Sequence, residues 1–167
     1  MQRHWLVWAI AFAFVSPLFA QVEQNGIQVT ITKKTTARND TRTYYNEQRI
    51  NRTMGLHVVV KNVSMKPFPA GEINYSLLVL KYNYSPSSYE LYSGTQPLPA
   101  LKVGESAEVL IGSAQISGWA DIGERRKDKL DYKVVVKHGT TETAVVKSID
   151  GFDAIAANAQ KIGPDSH

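Results

Sequence analysis

His57, His138 and His167 are the candidate general bases of this chain, and Ser113 and Ser117 are the serines set beside glycines. Neither serine has the Gly-x-Ser-x-Gly spacing that lifts a nucleophile onto a strand-to-helix turn. No two histidines share a metal-ligand spacing, and with Cys at 0 there is no thiolate for a metal, a disulfide or a covalent intermediate. Asp150-Gly151-Phe152-Asp153 brings two carboxylates close together, without the alternating ligands and closing glutamate of a calcium loop. It reads as a turn and helix N-cap. Glu105/Glu108 and Asp128/Asp131 are spaced by three, which on strands points them to opposite faces and argues against a glycosidase dyad. Phosphate-cradling glycine loops are absent. The expectation is a non-enzymatic chain with no catalytic, cofactor or metal residues.

Charge and aromatic content point to binding instead. Between Lys33 and Lys66 stand eight basic residues against two acidic ones, Asp40 and Glu47. A field of that sign favours anionic partners. Arg38, Arg42, Arg49 and Arg52 are the residues expected to meet them, because arginine grips phosphate or carboxylate with two prongs. Lysines and arginines also guard sheet edges, which is the structural alternative. Tyr82, Tyr84, Tyr89 and Tyr92 flank the Pro86 turn and form a second candidate patch, for sugar or a protein partner. Arg125-Arg126-Lys127 alternates with acids and reads as a solvated loop.

These residues need a scaffold, and the sequence describes one. Arg3 and His4 precede an apolar run from Trp5 to Val15, broken by Ser16-Pro17 and ending at Ala20. That is the plan of a secretory signal peptide with cleavage after Ala20, and the run is too short for a spanning helix of roughly 20 residues. The expected divisions are a signal peptide at 1–20, a sandwich domain at 21–150, and a short helix with a loose tail at 151–167. No transmembrane segment is expected after cleavage, and the protein is expected in the periplasm or secreted.

From Gly26 onward the dominant period is two. Ile27, Val29 and Ile31 alternate with polar residues, as do Leu56, Val58 and Val60. Ile73 to Tyr84 is apolar at almost every step, the mark of a central strand covered on both faces. Ala107 to Ile111, Leu130 to Lys137 and Thr141 to Lys147 continue the series, punctuated by prolines and glycines. No helical crossover lies between them, so the expected class is all-β, an antiparallel sandwich of about seven strands. An up-and-down barrel is the competitor. Lys34 to Met54 reads as a long polar connection, either an edge hairpin or a loop. Phe152, Ile155, Ala156, Ala159 and Ile162 fall at helical spacing, up to Gly163-Pro164.

The segments Leu56-His57-Val58-Val59-Val60-Lys61-Asn62-Val63-Ser64, Leu101-Lys102-Val103-Gly104-Glu105-Ser106 and Asp131-Tyr132-Lys133-Val134-Val135-Val136 resemble strands and turns of bacterial immunoglobulin-like or fibronectin type III-like modules. The resemblance implies that fold and an extracytoplasmic setting, and it supplies no site. The expected role is an exported envelope binding or assembly module, its partner an envelope protein or anionic envelope polymer, with anionic lipid a further candidate for the Lys33–Lys66 segment. A carbohydrate-binding module using the tyrosines is the alternative. Export argues against nucleic acid.

Overall fold

Ile27, Val29 and Ile31 are buried while Gln28, Thr30 and Thr32 between them are half-exposed. The same alternation recurs in the strands around them and builds two sheets that face each other across one core. The computed structural model describes residues 20–42, 47–82, 88–121 and 124–162, the side chains at 121, 124 and 125 excepted. The signal-peptide reading of residues 1–20 falls, apart from Ala20, outside the described residues.

The first sheet contains β1 (Ala20–Gln24), β2 (Ile27–Arg38), β3 (Thr41–Arg42), β4 (Gln48–Asn62), β7 (Ser106–Asp121) and β8 (Glu124–Lys127). The second contains β5 (Gly71–Leu80), β6 (Tyr89–Leu98), β9 (Lys129–His138), β10 (Thr141–Lys147) and β11 (Gln160–Ile162). Their orders are β1-β2-β4-β7-β8, with β3 beside β4, and β10-β9-β5-β6-β11. Seven long strands carry the sandwich, and the four short ones extend its edges. Every pairing is antiparallel except β11 on β6.

Inward residues of both sheets merge in one apolar cluster, with Val58, Val60, Ile73, Leu77, Val134 and Val79 at its centre. Leu78 is also buried, so the outer face of β5 is covered at that position, while Asn74 and Ser76 on the same face stay half-exposed. Tyr132 is 5% exposed and belongs to the same core.

One open reading is decided in favour of the hairpin, and two local expectations are corrected. Lys34 to Met54 is a long hairpin: β2 pairs with β4 as far out as Arg38 opposite Arg52, and β3 adds a further rung. The helix α1 (Phe152–Ala156) lasts barely more than one turn, after which Ile162 joins β11 instead of continuing the helical stripe. Its N-cap is Gly151, in the left-handed region with no side-chain cap bond, so Asp150 does not cap it. Asp153 instead accepts hydrogen bonds from Lys133 and Lys147, tying α1 across β9 and β10.

Two devices shape the sandwich. Gly112, with φ +74°, makes a bulge with Ser113 opposite Gly55, where a Cβ would lie 2.6 Å from the Gly112 carbonyl oxygen. Such a bulge bends the strand that carries it. The chain then passes from the first sheet to the second at a single residue, Asp128, between β8 and β9.

Candidate functional site

The arginines expected to act together are split by the register. Arg38 and Arg52 stand directly opposite each other on β2 and β4. Like charges so placed repel, and Asp40 resolves the conflict. One of its oxygens lies 2.7 Å from Arg38 Nε and 2.5 Å from Arg52 Nη2, while the other accepts from Arg52 Nε at 3.2 Å. The Arg52 hydrogen bond, seconded by Arg38, holds the Asp40 carboxyl well below the usual carboxylate range. Two of the four candidates thus share one carboxylate within the fold, and the trio keeps a single net positive charge. Arg42 on β3 and Arg49 on β4 are exposed and, among the described residues, make no ion pair. All four sit in paired strands, a correction to the polar connection in which they were expected.

Arg49 has a different neighbourhood. It is the register partner of Thr41 on one side and of Trp119 on the other, and Trp119 pairs in turn with Arg126. Directly opposite residues share a sheet face, so Thr41, Arg49, Trp119 and Arg126 form one row across β3, β4, β7 and β8. A groove of about 840 Å³ opens beside this row, and Tyr82 from the end of β5 closes it from the other sheet. Glu47, Asn39 and Asn51 complete its polar lining. Arg126, read as part of a solvated loop, belongs to an edge strand and to this groove.

Of the four tyrosines expected to form a patch, three are described. Tyr92 is 9% exposed and packs in the core, where its hydroxyl donates to Glu90 at 2.9 Å. Burial, then Glu90, pushes its phenol up to about 12. Tyr82 and Tyr89 are half-buried, and Tyr84 lies outside the described residues, as do Tyr44 and Tyr45. Among the described tyrosines, Tyr82 alone lines the groove.

Tyr82 is held there by the sheet crossing. Its backbone N–H donates to Asp128 Oδ1, while Ser117 N–H on β7 donates to Asp128 Oδ2. The Asp128 N–H returns a bond to the Ser117 carbonyl at 2.8 Å. Lys81 Nζ sits 2.7 Å from the same carboxylate and 3.5 Å from Glu90. Burial works against the charge on Lys81, but Asp128 and Glu90 outweigh it and raise its pKa. Two groove residues, Tyr82 and Ser117, are therefore fixed to one buried anion.

Elsewhere the candidate chemistry stays dispersed. His57 pairs with Glu108 at 3.2 Å on an exposed stretch, and His138 contacts the Ala70 carbonyl oxygen at 2.8 Å. Lys33 turns its ammonium inward, to the Leu130 carbonyl and over the Tyr132 ring, and burial lowers its pKa. Among the described residues no three His, Asp or Glu side chains gather within ligating reach. No helix among them is long and apolar enough to cross a membrane.

Sequence reasoning missed Trp119 and the register that sets it between two arginines. The available signal was that Trp119 is the sole tryptophan after residue 20. Neither a family profile nor a curated protein matches the chain. Among solved structures, a crystal structure from Akkermansia muciniphila matches with a TM-score of 0.38 and 12% identity, over 86% of this chain and 85% of that one. The chain is an all-β sandwich.

Proposed function

We propose that this is an exported, non-enzymatic binding module whose groove takes an acidic polysaccharide of the cell envelope. The observation that carries the reading is the row Arg49–Trp119–Arg126 beside a groove that Tyr82 also lines. Arginine forks suit carboxylate or phosphate groups spaced along a polymer. Aromatic faces suit the apolar faces of sugar rings. The two expectations from sequence, an anionic polymer and a carbohydrate, meet in this one ligand class. Kinship with bacterial immunoglobulin-like modules and placement in the periplasm or outside the cell belong to the same proposal, supported by the strand segments and the leader-like residues 1–20.

The test is affinity electrophoresis through gels containing polygalacturonate or, as control, neutral dextran. The wild type is expected to be retarded by polygalacturonate alone, and less so as salt rises, because exposed charges are screened over about 8 Å at physiological ionic strength. Arg49→Ser and Trp119→Ala are each expected to weaken retardation, while Arg38→Ser, already committed to Asp40, changes it little. Equal retardation of all variants, or none of the wild type, rejects the groove. N-terminal sequencing of protein from an extracytoplasmic fraction is expected to begin at Gln21. A start at Met1 rejects export by cleavage.

A further inference from the structure

The end of the sandwich opposite the hairpin β2–β4 gathers the turn at Asn25–Gly26, the loops at 63–70 and 99–105, and the turn at 139–140. Two of these loops project side chains that a buried environment would ordinarily claim. Met65 is 90% exposed, Val103 52% and Val63 38%. Exposed single hydrophobes are common, but these stand on two loops that one buried side chain joins.

Asn62, fully buried at the end of β4, does the holding. Its Nδ2 donates to the carbonyl oxygens of Lys66 at 2.8 Å, Leu101 at 3.1 Å and Lys102 at 3.1 Å. One nitrogen thus bonds to both loops, which brings the residues next to Lys66 and Lys102, Met65 and Val103, onto adjacent tips. Its Oδ1 accepts from Ser64 N–H and Oγ, closing the first tip. The backbone adds Asn62 N–H to Glu105 and Gly104 N–H to Asn62. Around the apolar tips stand Lys61, Lys66 and Lys102, exposed and without an ion pair among the described residues. Glu105, in the second loop, turns its carboxylate back onto the Lys102 backbone N–H at 2.7 Å.

We propose that these paired tips dock on an anionic lipid surface, with Met65 and Val103 entering between headgroups that Lys66 and Lys102 bind. Two narrow tips offer little area to a protein partner, whose stable interfaces bury more than about 1,000 Å². They match a headgroup layer, where apolar side chains reach the acyl boundary and lysine stems keep their charge at the surface. The unpaired lysines select the sign of the surface. This site lies at the other end of the molecule from the groove and does not depend on it. It leaves that groove free while the protein rests on a membrane.

The experiment is cosedimentation with vesicles of phosphatidylglycerol in phosphatidylcholine, against phosphatidylcholine alone. The wild type is expected to bind the anionic vesicles only. Met65→Asp combined with Val103→Asp is expected to lower partitioning about tenfold or more. Lys66→Gln combined with Lys102→Gln does the same. All four side chains are exposed, so unchanged far-ultraviolet dichroism confirms that the variants fold. Arg49→Ser binds as the wild type does. A Met65→Trp reporter in a Trp119→Phe background is expected to shift its emission to the blue on anionic vesicles. Absence of wild-type binding, equal binding to neutral vesicles, loss with Arg49→Ser but not with the tip variants, or an unshifted reporter each overturns the proposal.

Discussion

Lys81 Nζ lies 2.7 Å from Asp128 Oδ2, and the carboxylate it meets is wholly withdrawn from solvent. Lys81 follows the last residue of β5 in the second sheet, and Asp128 is where the chain leaves the first. Their ion pair joins the two layers at the point where the backbone crosses between them. A buried carboxylate is tolerable because its oxygens also accept the Tyr82 and Ser117 backbone N–H groups.

Asp128→Ala is expected to destabilise the fold by about 3–5 kcal/mol, since it leaves a half-buried ammonium and two backbone donors without their acceptor. Lys81→Met is expected to cost less, because Asp128 keeps both N–H bonds. Urea unfolding of the two variants measures the difference. Equal losses would show that the ion pair, rather than the N–H bonds, dominates.

Alkaline pH acts on the same cluster. Lys81 and Tyr92 both titrate above their ordinary values in the folded protein, Tyr92 near 12. A raised folded pKa gives stability that is complete below the unfolded value and is lost as pH climbs through the folded one. The unfolding midpoint is therefore expected to fall from about pH 10 upward. Tyr92→Phe is expected to flatten that decline, as followed by denaturant melts across the alkaline range.

Asn62 makes a sharper test of a neutral network. Asn62→Asp preserves its size yet points a second oxygen at three carbonyl oxygens, so it is expected to destabilise more than Asn62→Ala. The alanine variant loses the donors, at a cost of about 2–4 kcal/mol. Thermal melts of both settle the order. The reverse order would mean that the side chain acts by filling space.

Removing Asp40 is expected to expose the charge it masks. In Asp40→Ala, Arg38 and Arg52 face each other unscreened, so thermal stability falls while retardation by polygalacturonate rises and becomes more salt-dependent. Acid has the corresponding effect. The depressed Asp40 pKa gives stability that is present above the unfolded value near 3.8 and is lost as pH drops through the lower folded value. Unchanged retardation of Asp40→Ala would show that these two arginines never reach the polymer.

What the sequence made legible follows from how locally each feature is determined. The central place of β5 was readable because Leu77, Leu78 and Val79 are apolar in succession. β6 was obscured by Pro97 and by tyrosines that look like surface residues, although Tyr92 is core. β11 was hidden by an accidental helical spacing: the chain leaves α1 after Ala156, and Ile162 packs from a strand instead. The arginines could be counted, but their partition could not be seen. Whether Asp40 reaches both Arg38 and Arg52 depends on the register of β2 against β4, which is shifted between Thr35 and Ala37. The Asp128 network was invisible for the same reason, since its members converge from β5, β7 and the sheet crossing.

The turn after β1 has a consequence for how the molecule is made. Gln24 Oε1 accepts the Val145 N–H, and Asn25 Nδ2 donates to the Thr143 carbonyl oxygen, each at 2.8 Å. These bonds fasten the first strand of the sandwich to β10, the last long one, across more than a hundred residues of chain. A polypeptide delivered amino end first cannot tie this knot-free lace until β10 has arrived. Its earliest strand must wait, unzipped along one seam, for almost the entire remainder. Non-local closure of that kind slows folding.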